Sequence, residues 1–452
     1  MYTSEKTQGI KKYTKFAETL PMWYTVNTFL MRGYNMKVVG IIAEYNPFHN
    51  GHQYQIEQIR EKTNADYVIV AMSGNFLQRG VPALCDKYSR TKMALECGAD
   101  LVFELPTIWA TASAEYFAEG GVALLANTGV VTHLGFGAET DDLGSLLQVS
   151  SILKEEPDVY RAVLGNSIRS GNSFPIARKN ALITSLPSFS TDKLDDLLDS
   201  PNNILALEYL KALPHSITPV LIPRKGAGYH DTDIDSTLPS ASAIREAIAT
   251  PADERDLEKI AAAMPEKAYH SLLPLLDNNA LLENDDFSEM LGYCLLSLQH
   301  HGYASFADCT NDFSNKILKN LKGYVSADAF TQKLKSKDMT YTRVSRNLLH
   351  ILLGIKQADY SIGKAIGYIP YLRVLGFKED AKPLLTKIKK TASVPIITKV
   401  ADASTKLDYG TYKMFEKDLF ASSLYYQTLA RKSNQEPMNE FTNQIVILPS
   451  EE

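Results

Sequence analysis

The chain has 452 residues, of which 45% are hydrophobic and 22% charged, and a formal net charge of −5. This length supports two or three domains with cores of their own, and the composition excludes a disordered or fibrous polypeptide. No apolar run reaches membrane-spanning length, and Cys85, Cys97, Cys294 and Cys309 form neither a C-x-x-C pair nor a zinc spacing, so a reducing, cytoplasmic setting away from membranes is expected.

Residues 1–35 are polar and aromatic, with no apolar core long enough for a secretion signal. They read as an N-terminal extension, and Met36, directly before the first strand pattern, as the structural start. Residues 38–42 (VVGII) are a β-branched run typical of a strand buried on both faces. The chain then turns polar at Glu44-Tyr45-Asn46, breaks at Pro47, and from Gly51 reads as a helix with Ile56 and Ile59 on its inner face. A strand, a tight polar loop and a helix start present free backbone N–H groups to an anion. His49-Asn50-Gly51-His52 sits at that junction. Two imidazoles three residues apart can share one space, and Gly51 leaves room for a phosphate or base to approach the backbone. The pair suits a reaction in which charge develops on phosphate oxygens. Histidines that only cap a helix are the alternative; the preceding strand and the Asn46-Pro47-Phe48 turn favour the functional reading.

A second buried strand over 66–72 ends in the polar loop SGNFLQRG, at the edge where open parallel sheets bind ligands. There follow a helix over 86–97 with Asp86 as N-cap, a strand over 101–106, a helix over 112–126, and a strand over 132–136 leading into Gly137-Ala138-Glu139. Alternation of this kind argues for a doubly wound α/β domain. Residues 140–200 read as mainly helical. Pro201-Asn202-Asn203 opens another helix, a short strand covers 218–222, and Arg224-Lys225 begins a glycine-containing loop. Ser240-Ala241-Ser242-Ala243-Ile244-Arg245 then starts a helix. Two hydroxyls at a helix start, followed by an arginine, make a second phosphate cradle.

Beyond Pro251 the strand pattern gives way to amphipathic helices over 256–263, 287–300, 308–321, 327–335 and, most clearly, 341–353. Short strand-like runs cover 368–374 and 393–400. Between Asn311 and Lys399, 17 lysines and arginines stand against 6 acidic residues, so a basic region adjoins an acidic one. That asymmetry suggests a phosphate-backbone partner. Arg343, Arg346, Lys387, Lys389 and Lys390 are the candidate contacts. Tyr341, Tyr368 and Tyr371 could stack bases, although tyrosines that pack a helical core are commoner.

Taken together, EYNPFHNGH, MSGNFLQRG, the FGAE loop, PNNIL, the R-x-G-A-x-Y-H-D loop, SASAIR, RVSRNLLHILLGI and VPIITK resemble the bacterial tRNA-Met cytidine acetate ligase family, within the nucleotidylyltransferase superfamily. The resemblance runs from Met36 to near the C-terminus. It implies a Rossmann-like nucleotidylyltransferase domain over 36–250 and a mainly α-helical, basic, tRNA-binding domain over 251–452. The implied reaction has two steps. Acetate attacks the α-phosphate of ATP, giving acetyl-adenylate and pyrophosphate. The wobble cytidine of elongator tRNA-Met then takes the acetyl group on N4 and AMP leaves, giving N4-acetylcytidine.

The resemblance carries ATP contacts onto Ile42, Ala43, Glu44, Tyr45, Asn46, Pro47, Phe48, His49, Asn50, Gly51, His52, Gln53, Tyr54 and Gln55, and onto Gly137, Asn202, Arg224 and Lys225. Asn203 is the alternative to Asn202. Ser242 and Arg245 would hold the β/γ end, by analogy with the wider superfamily, and His49 and His52 would be the catalytic pair. Mg²⁺ is expected with ATP, yet no carboxylate pair reads as its ligand. An acyl-adenylate needs no protein nucleophile; His230 and Glu44 are candidates to take a proton from the cytidine amine. Two other functions compete: nucleotidyl transfer to a small cofactor precursor, and nucleotide sensing by a non-catalytic RNA-binding protein. About two hundred residues beyond a compact transferase argue against the first, and the intact H-x-G-H and SASAIR motifs against the second.

Overall fold

The first strand, β1 (Val38–Ala43), has its first four residues buried. The protein is described here by a computed structural model covering residues 36–224, 234 and 238–450. Residues 1–35, Lys225 and His230 lie outside the described residues. β1 pairs in parallel with β2 (Tyr67–Ser73) on one side and β4 (His133–Ala138) on the other. β3 (Leu101–Leu105) continues the sheet beyond β2, and β5 (Thr218–Pro223) beyond β4, both in parallel. The five strands lie in the order β5-β4-β1-β2-β3, the doubly wound arrangement expected from the alternating pattern. Chain order reverses between β1 and β4. The crevice outside the carboxyl ends of those two strands is where such sheets bind ligands.

Helices follow the strands closely. α1 (Asn50–Thr63) buries Ile56 and Ile59, the expected inner face. α2 (Lys87–Glu96) starts at Asp86, whose carboxylate accepts from the N–H groups of Tyr88 and Ser89 at 2.8 and 3.2 Å. After the short α3 (Thr107–Ala110), α4 (Ala114–Asn127) lies across β1. A Cβ at Gly40 would stand 2.6 Å from Leu125, so glycine is what lets α4 approach the strand. Cys85 and Cys97 are buried packing residues, and burial pushes their thiols up to about 12 and about 11.

Two features differ from the sequence expectation. β4 runs two residues further, so Gly137 is a strand residue paired with Ile222 of β5 rather than part of a loop. The larger difference lies beyond residue 250. That region is mainly helical, but its strands are not apart from the first sheet. β6 (Leu372–Lys378) pairs antiparallel with β3, and β7 (Ile396–Ile397) and β8 (Val446–Leu448) flank β6 in parallel. An uncovered β3 would present a row of unpaired backbone groups, and β6 removes that edge. The sheet therefore draws strands from both sides of residue 250.

A buried ionic cluster fastens the two halves. Lys87 Nζ lies 2.9 Å from both carboxylate oxygens of Glu104 and 2.7 Å from Glu440. Arg373 pairs with Glu104 at 2.9 Å and also with Glu440. Lys87, Glu104, Arg373 and Glu440 are all 4% exposed or less. Ser422, on the 25-residue helix Tyr409–Ser433, accepts a further bond from Lys87 at 2.9 Å.

Candidate active site

β1 ends at Ala43, and the chain crosses its carboxyl edge through Glu44 to Phe48. Tyr45 adopts a left-handed φ of +48° and is buried. Its ring meets the His52 imidazole edge-on at 4.8 Å, and Phe48 closes on the same imidazole at 5.5 Å. Phe48 is thus a buried support for His52, Pro47 is buried beside it, and neither lines the cleft.

His49 is the N-cap of α1. Its Nδ1 accepts the Gly51 N–H at 3.0 Å, and His52 Nδ1 accepts the His49 N–H at 3.3 Å. This is a capping box in which imidazoles replace the usual hydroxyl and carboxyl groups. Both capping donors are backbone amides, so each Nδ1 must be an acceptor. The neutral rings therefore carry their proton on Nε2 and present it as a donor. The rings lie 3.8 Å apart, inclined by 30°. Burial, then the charges of Arg224 and Arg245, push His49 down to about 3. Burial, His49 and Arg224 lower His52 as well. Both rings are neutral N–H donors at pH 7. Gly51 serves this pair directly, since a Cβ there would stand 2.9 Å from His49 Cε1. The His49 ring fills the direction a side chain at position 51 would take, while Gly51 itself borders a small hollow.

A cleft with a cavity volume of about 220 Å³ opens in front of the histidines. Ile42, Ala43, Glu44, Tyr45, Asn46, His49, His52 and Gln55 form one wall, and Leu77, Gln78, Arg79 and Val81 from the β2 exit form the next. Phe117, Phe136, Gly137, Asn202, Leu205, Tyr209 and Arg224 line the other side, and Ser240, Ala241, Ser242 and Arg245 close it. A smaller hollow beside it takes in Gly51 and Tyr54. Asn50 and Gln53 line neither; the Asn50 amide donates to the Ala262 carbonyl at 2.7 Å.

The second cradle divides its two hydroxyls. Ser240 caps the helix Ala241–Ala249, accepting from Ala243 N–H at 3.1 Å. Ser242 faces the cleft and accepts from Arg245 at 2.9 Å. Arg245 also donates to the Asn46 carbonyl at 2.7 Å, so one guanidinium joins both motifs. The two asparagines separate similarly. Asn203 is buried and accepts from Glu139 and Thr140 N–H at 2.9 and 3.1 Å, a structural tie. Asn202 is the one at the cleft.

Two further groups complete the site. Glu44 is the sole acidic side chain among the described lining residues; its Oε1 accepts the Gln78 N–H at 2.7 Å. Burial raises its pKa, opposed by the Gln78 N–H and by Arg79, Arg90 and Arg245. Arg90, fully buried, donates to the carbonyls of Glu44, Ser73 and Cys85 at 2.6, 3.1 and 2.9 Å, and also to that of Gly74. It fixes the β1 and β2 exits to each other. Sequence reasoning missed it, because an arginine in a helix reads as solvated unless its partners, here carbonyls up to 46 residues away, are known.

Comparison with known proteins decides the family. The HIGH Nucleotidyl Transferase family model matches residues 36–440. A protein of Thermoanaerobacter sp. (strain X514) named tRNA(Met) cytidine acetate ligase is 40% identical over 417 residues, 91% of this chain and 100% of that one. The chain belongs to the tRNA(Met) cytidine acetate ligase family. A namesake from Clostridium perfringens (strain SM101 / Type A) is 39% identical, covering 86% of this chain and 95% of its own. The apo crystal structure of Thermotoga maritima TmcAL superimposes with a TM-score of 0.84 at 29% identity, covering 92% of this chain and 100% of that one. A second form of that protein, bound with alpha-thio ATP, gives 0.82.

For a member of the tRNA(Met) cytidine acetate ligase family, the placement of the basic residues matters. Arg343 is exposed in the first turn of the helix Tyr341–Leu353, and Arg346 is half-buried one turn on. This helix holds the cleft loop: Ser345 donates to the Gly80 carbonyl at 2.8 Å, and a Cβ at Gly80 (φ +80°) would stand 2.3 Å from Arg346 N. Lys387, Lys389 and Lys390 lie elsewhere, at the end of the helix Lys382–Thr391. Thr391 and Ser393 bond to Thr128 and Asn127 in the turn before β4. That turn meets the amino end of β1, opposite the cleft. The two basic groups are therefore not brought together. Tyr371 cannot stack on a base: it is 1% exposed and donates to Asp418 at 2.6 Å. Tyr368 packs on Trp109 at 5.1 Å, and Tyr341 donates to Asp328.

Proposed function

We propose that this protein condenses acetate with ATP to acetyl-adenylate and pyrophosphate, then passes the acetyl group to N4 of the wobble cytidine of elongator tRNA-Met. One observation carries the reading: two neutral imidazole donors at a helix N-terminus share a cleft with Arg245, which is bonded to both phosphate motifs. A triphosphate at the start of α1 would meet the two Nε2–H donors and the helix dipole. Charge that develops on the α-phosphate as acetate attacks would be stabilised without a proton transfer. Ser242, Arg245, Arg224 and Lys225 would take the departing pyrophosphate. Gly137 and Asn202 would take the nucleoside, since ordinary contacts of 3.6 Å or more surround a Cβ placed at Gly137.

ATP would arrive as its Mg²⁺ complex. Among the described residues no cluster of three or more His, Cys, Asp or Glu is built for a metal ion. The ion would then be held by triphosphate oxygens and water, the usual arrangement for Mg²⁺. Arg343 and Arg346, on the helix that braces the Leu77–Val81 loop, would contact tRNA beside the cleft. Lys387, Lys389 and Lys390 would contact it further along.

The test is pyrophosphate exchange into ATP, with and without acetate, joined to nucleoside mass spectrometry of elongator tRNA-Met from a strain lacking the gene. Acetate-dependent exchange and loss of N4-acetylcytidine are expected. Exchange that ignores acetate, or unchanged acetylcytidine, would overturn the proposal.

A further inference from the structure

We infer that the Glu44 carboxylate receives the proton that leaves the cytidine N4 amine during acetyl transfer. The inference rests on the acetyl-transfer reading above and names a group that reading does not require. A cleft that must admit both ATP and acetate has a clear electrostatic reason to exclude carboxylates. Arg79, Arg224 and Arg245 meet that need, yet Glu44 stands among them. It is held in place by the Gln78 N–H on Oε1 and by the Arg90 clamp on its own carbonyl. Oε2 receives no hydrogen bond from a described residue. A fixed acid in an anion site is explained by a later reactant that brings a proton.

The other lining groups cannot accept one. His49 and His52 have their Nδ1 lone pairs occupied by backbone N–H groups and already carry a proton on Nε2. The Tyr45 and Tyr209 phenols are pushed up by burial and stay protonated. The remaining titratable lining groups are arginines. Glu44 is left as the acceptor among the described lining residues, and burial has made it a stronger base than an ordinary carboxylate. In the step itself, the N4 lone pair attacks the acetyl carbonyl carbon and a C–N bond forms. The C–O bond to AMP breaks with its electron pair going to the AMP phosphate, and the N4 proton moves to Glu44 Oε2. The same oxygen accepts a hydrogen bond from the N4–H of cytosine before reaction and would face the O4 acceptor of uracil, so it also selects the base.

The experiment uses the full chain, ATP, acetate and elongator tRNA-Met. It compares Glu44→Gln, Glu44→Asp and His230→Ala in two assays: acetate-dependent pyrophosphate exchange, and single-turnover transfer from preformed acetyl-adenylate. Glu44→Gln should slow transfer by about 100-fold or more, the usual scale for losing a general base, with a several-fold smaller effect on exchange. Glu44→Asp should recover part of the transfer rate, which a purely structural role would not predict. Equal losses in both assays would assign Glu44 to ATP or its metal ion and overturn the inference. So would unimpaired transfer in Glu44→Gln, or loss of transfer confined to His230→Ala. Wild-type enzyme without acetate-dependent exchange would instead overturn the underlying acetyl-transfer reading, whatever Glu44 does.

Discussion

His52 Nδ1 accepts the backbone N–H of His49 at 3.3 Å while the two rings lie 3.8 Å apart, so His49 fixes the tautomer of His52, as the Gly51 N–H fixes that of His49. The pair's local role and its chemical role can be separated by substitution. Asn at position 49 keeps an N-cap acceptor, and Gln at 52 keeps the N3 side of the capping box, but both remove an Nε2–H donor. His49→Asn and His52→Gln should each lower kcat for acetate-dependent adenylation by about 10²–10³. Stability should change by no more than about 1 kcal/mol. Steady-state exchange kinetics and denaturant unfolding check the two halves; a large stability loss with normal kcat would reduce the pair to a helix cap.

Gly51→Ala tests the same relationship from the backbone side. The added methyl would stand 2.9 Å from His49 Cε1, a contact the ring must leave. Because the ring is the free end of a side chain, folding should survive while the donor moves. Adenylation should fall about as far as in His49→Asn, roughly 10²-fold or more. Near-normal exchange in this variant would mean that the ring position is not what matters.

The depressed His49 pKa predicts an acid sensitivity with a definite sign. In the folded protein His49 protonates at about 3, whereas the unfolded chain binds that proton near the ordinary histidine value. Between those limits the unfolded state holds more protons, so stability must fall as pH drops. The thermal midpoint of the free protein should decrease from pH 7 to pH 5, and His49→Asn should remove part of that decrease. Bound ATP adds negative charge beside the ring and should shrink it too. A midpoint with the same pH slope in His49→Asn would contradict the neutral buried imidazole.

The α/β half was legible because its signals are local. The β-branched run at 38–42, the Asp86 cap and the alternation up to Thr218 each fix an element from neighbouring residues. The site was legible where two motifs lie at strand exits, and the split between Asn202 and Asn203 was not, since it depends on Glu139 and Thr140 across the sheet edge. Long-range pairing hid the rest. Nothing near Leu372–Lys378 says that its partner is Leu101–Leu105, and the helix Tyr409–Ser433 buries Asp418, Ser422 and Thr428 on its inner face, which blurs any apolar stripe. The surplus of lysines was visible, but which end of β1 they occupy was not.

The buried ionic cluster should behave as one unit. Glu440→Gln leaves Lys87 and Arg373 to share Glu104, and Lys87→Met leaves Glu104 and Glu440 with Arg373 alone. Each single change strands a buried charge and should cost about 3–5 kcal/mol in denaturant unfolding. The double variant removes one charge of each sign, so its cost should be well below the sum. Additive costs would mean that the four groups do not sense one another.

Arg343 and the lysines of Lys382–Thr391 make separable predictions for tRNA binding. Arg343 is exposed on the helix that holds the cleft loop through Gly80, so a tRNA phosphate bound there would lie on the cleft side of the sheet. Arg343→Glu should weaken tRNA binding, lower the slope of log affinity against log salt by about 1, and raise KM for tRNA. Changing Lys387, Lys389 and Lys390 together to alanine removes positive charge at the opposite end of β1, where it can add affinity but cannot position the cytidine. That triple variant should lower affinity and reduce the salt slope further, by about one for each phosphate no longer neutralised, yet leave kcat at saturating tRNA unaltered. Binding isotherms at several salt concentrations, paired with acetylation kinetics, separate the two groups. A triple variant whose affinity and slope match wild type would make those lysines a solvated face and confine tRNA binding to the cleft side of the sheet.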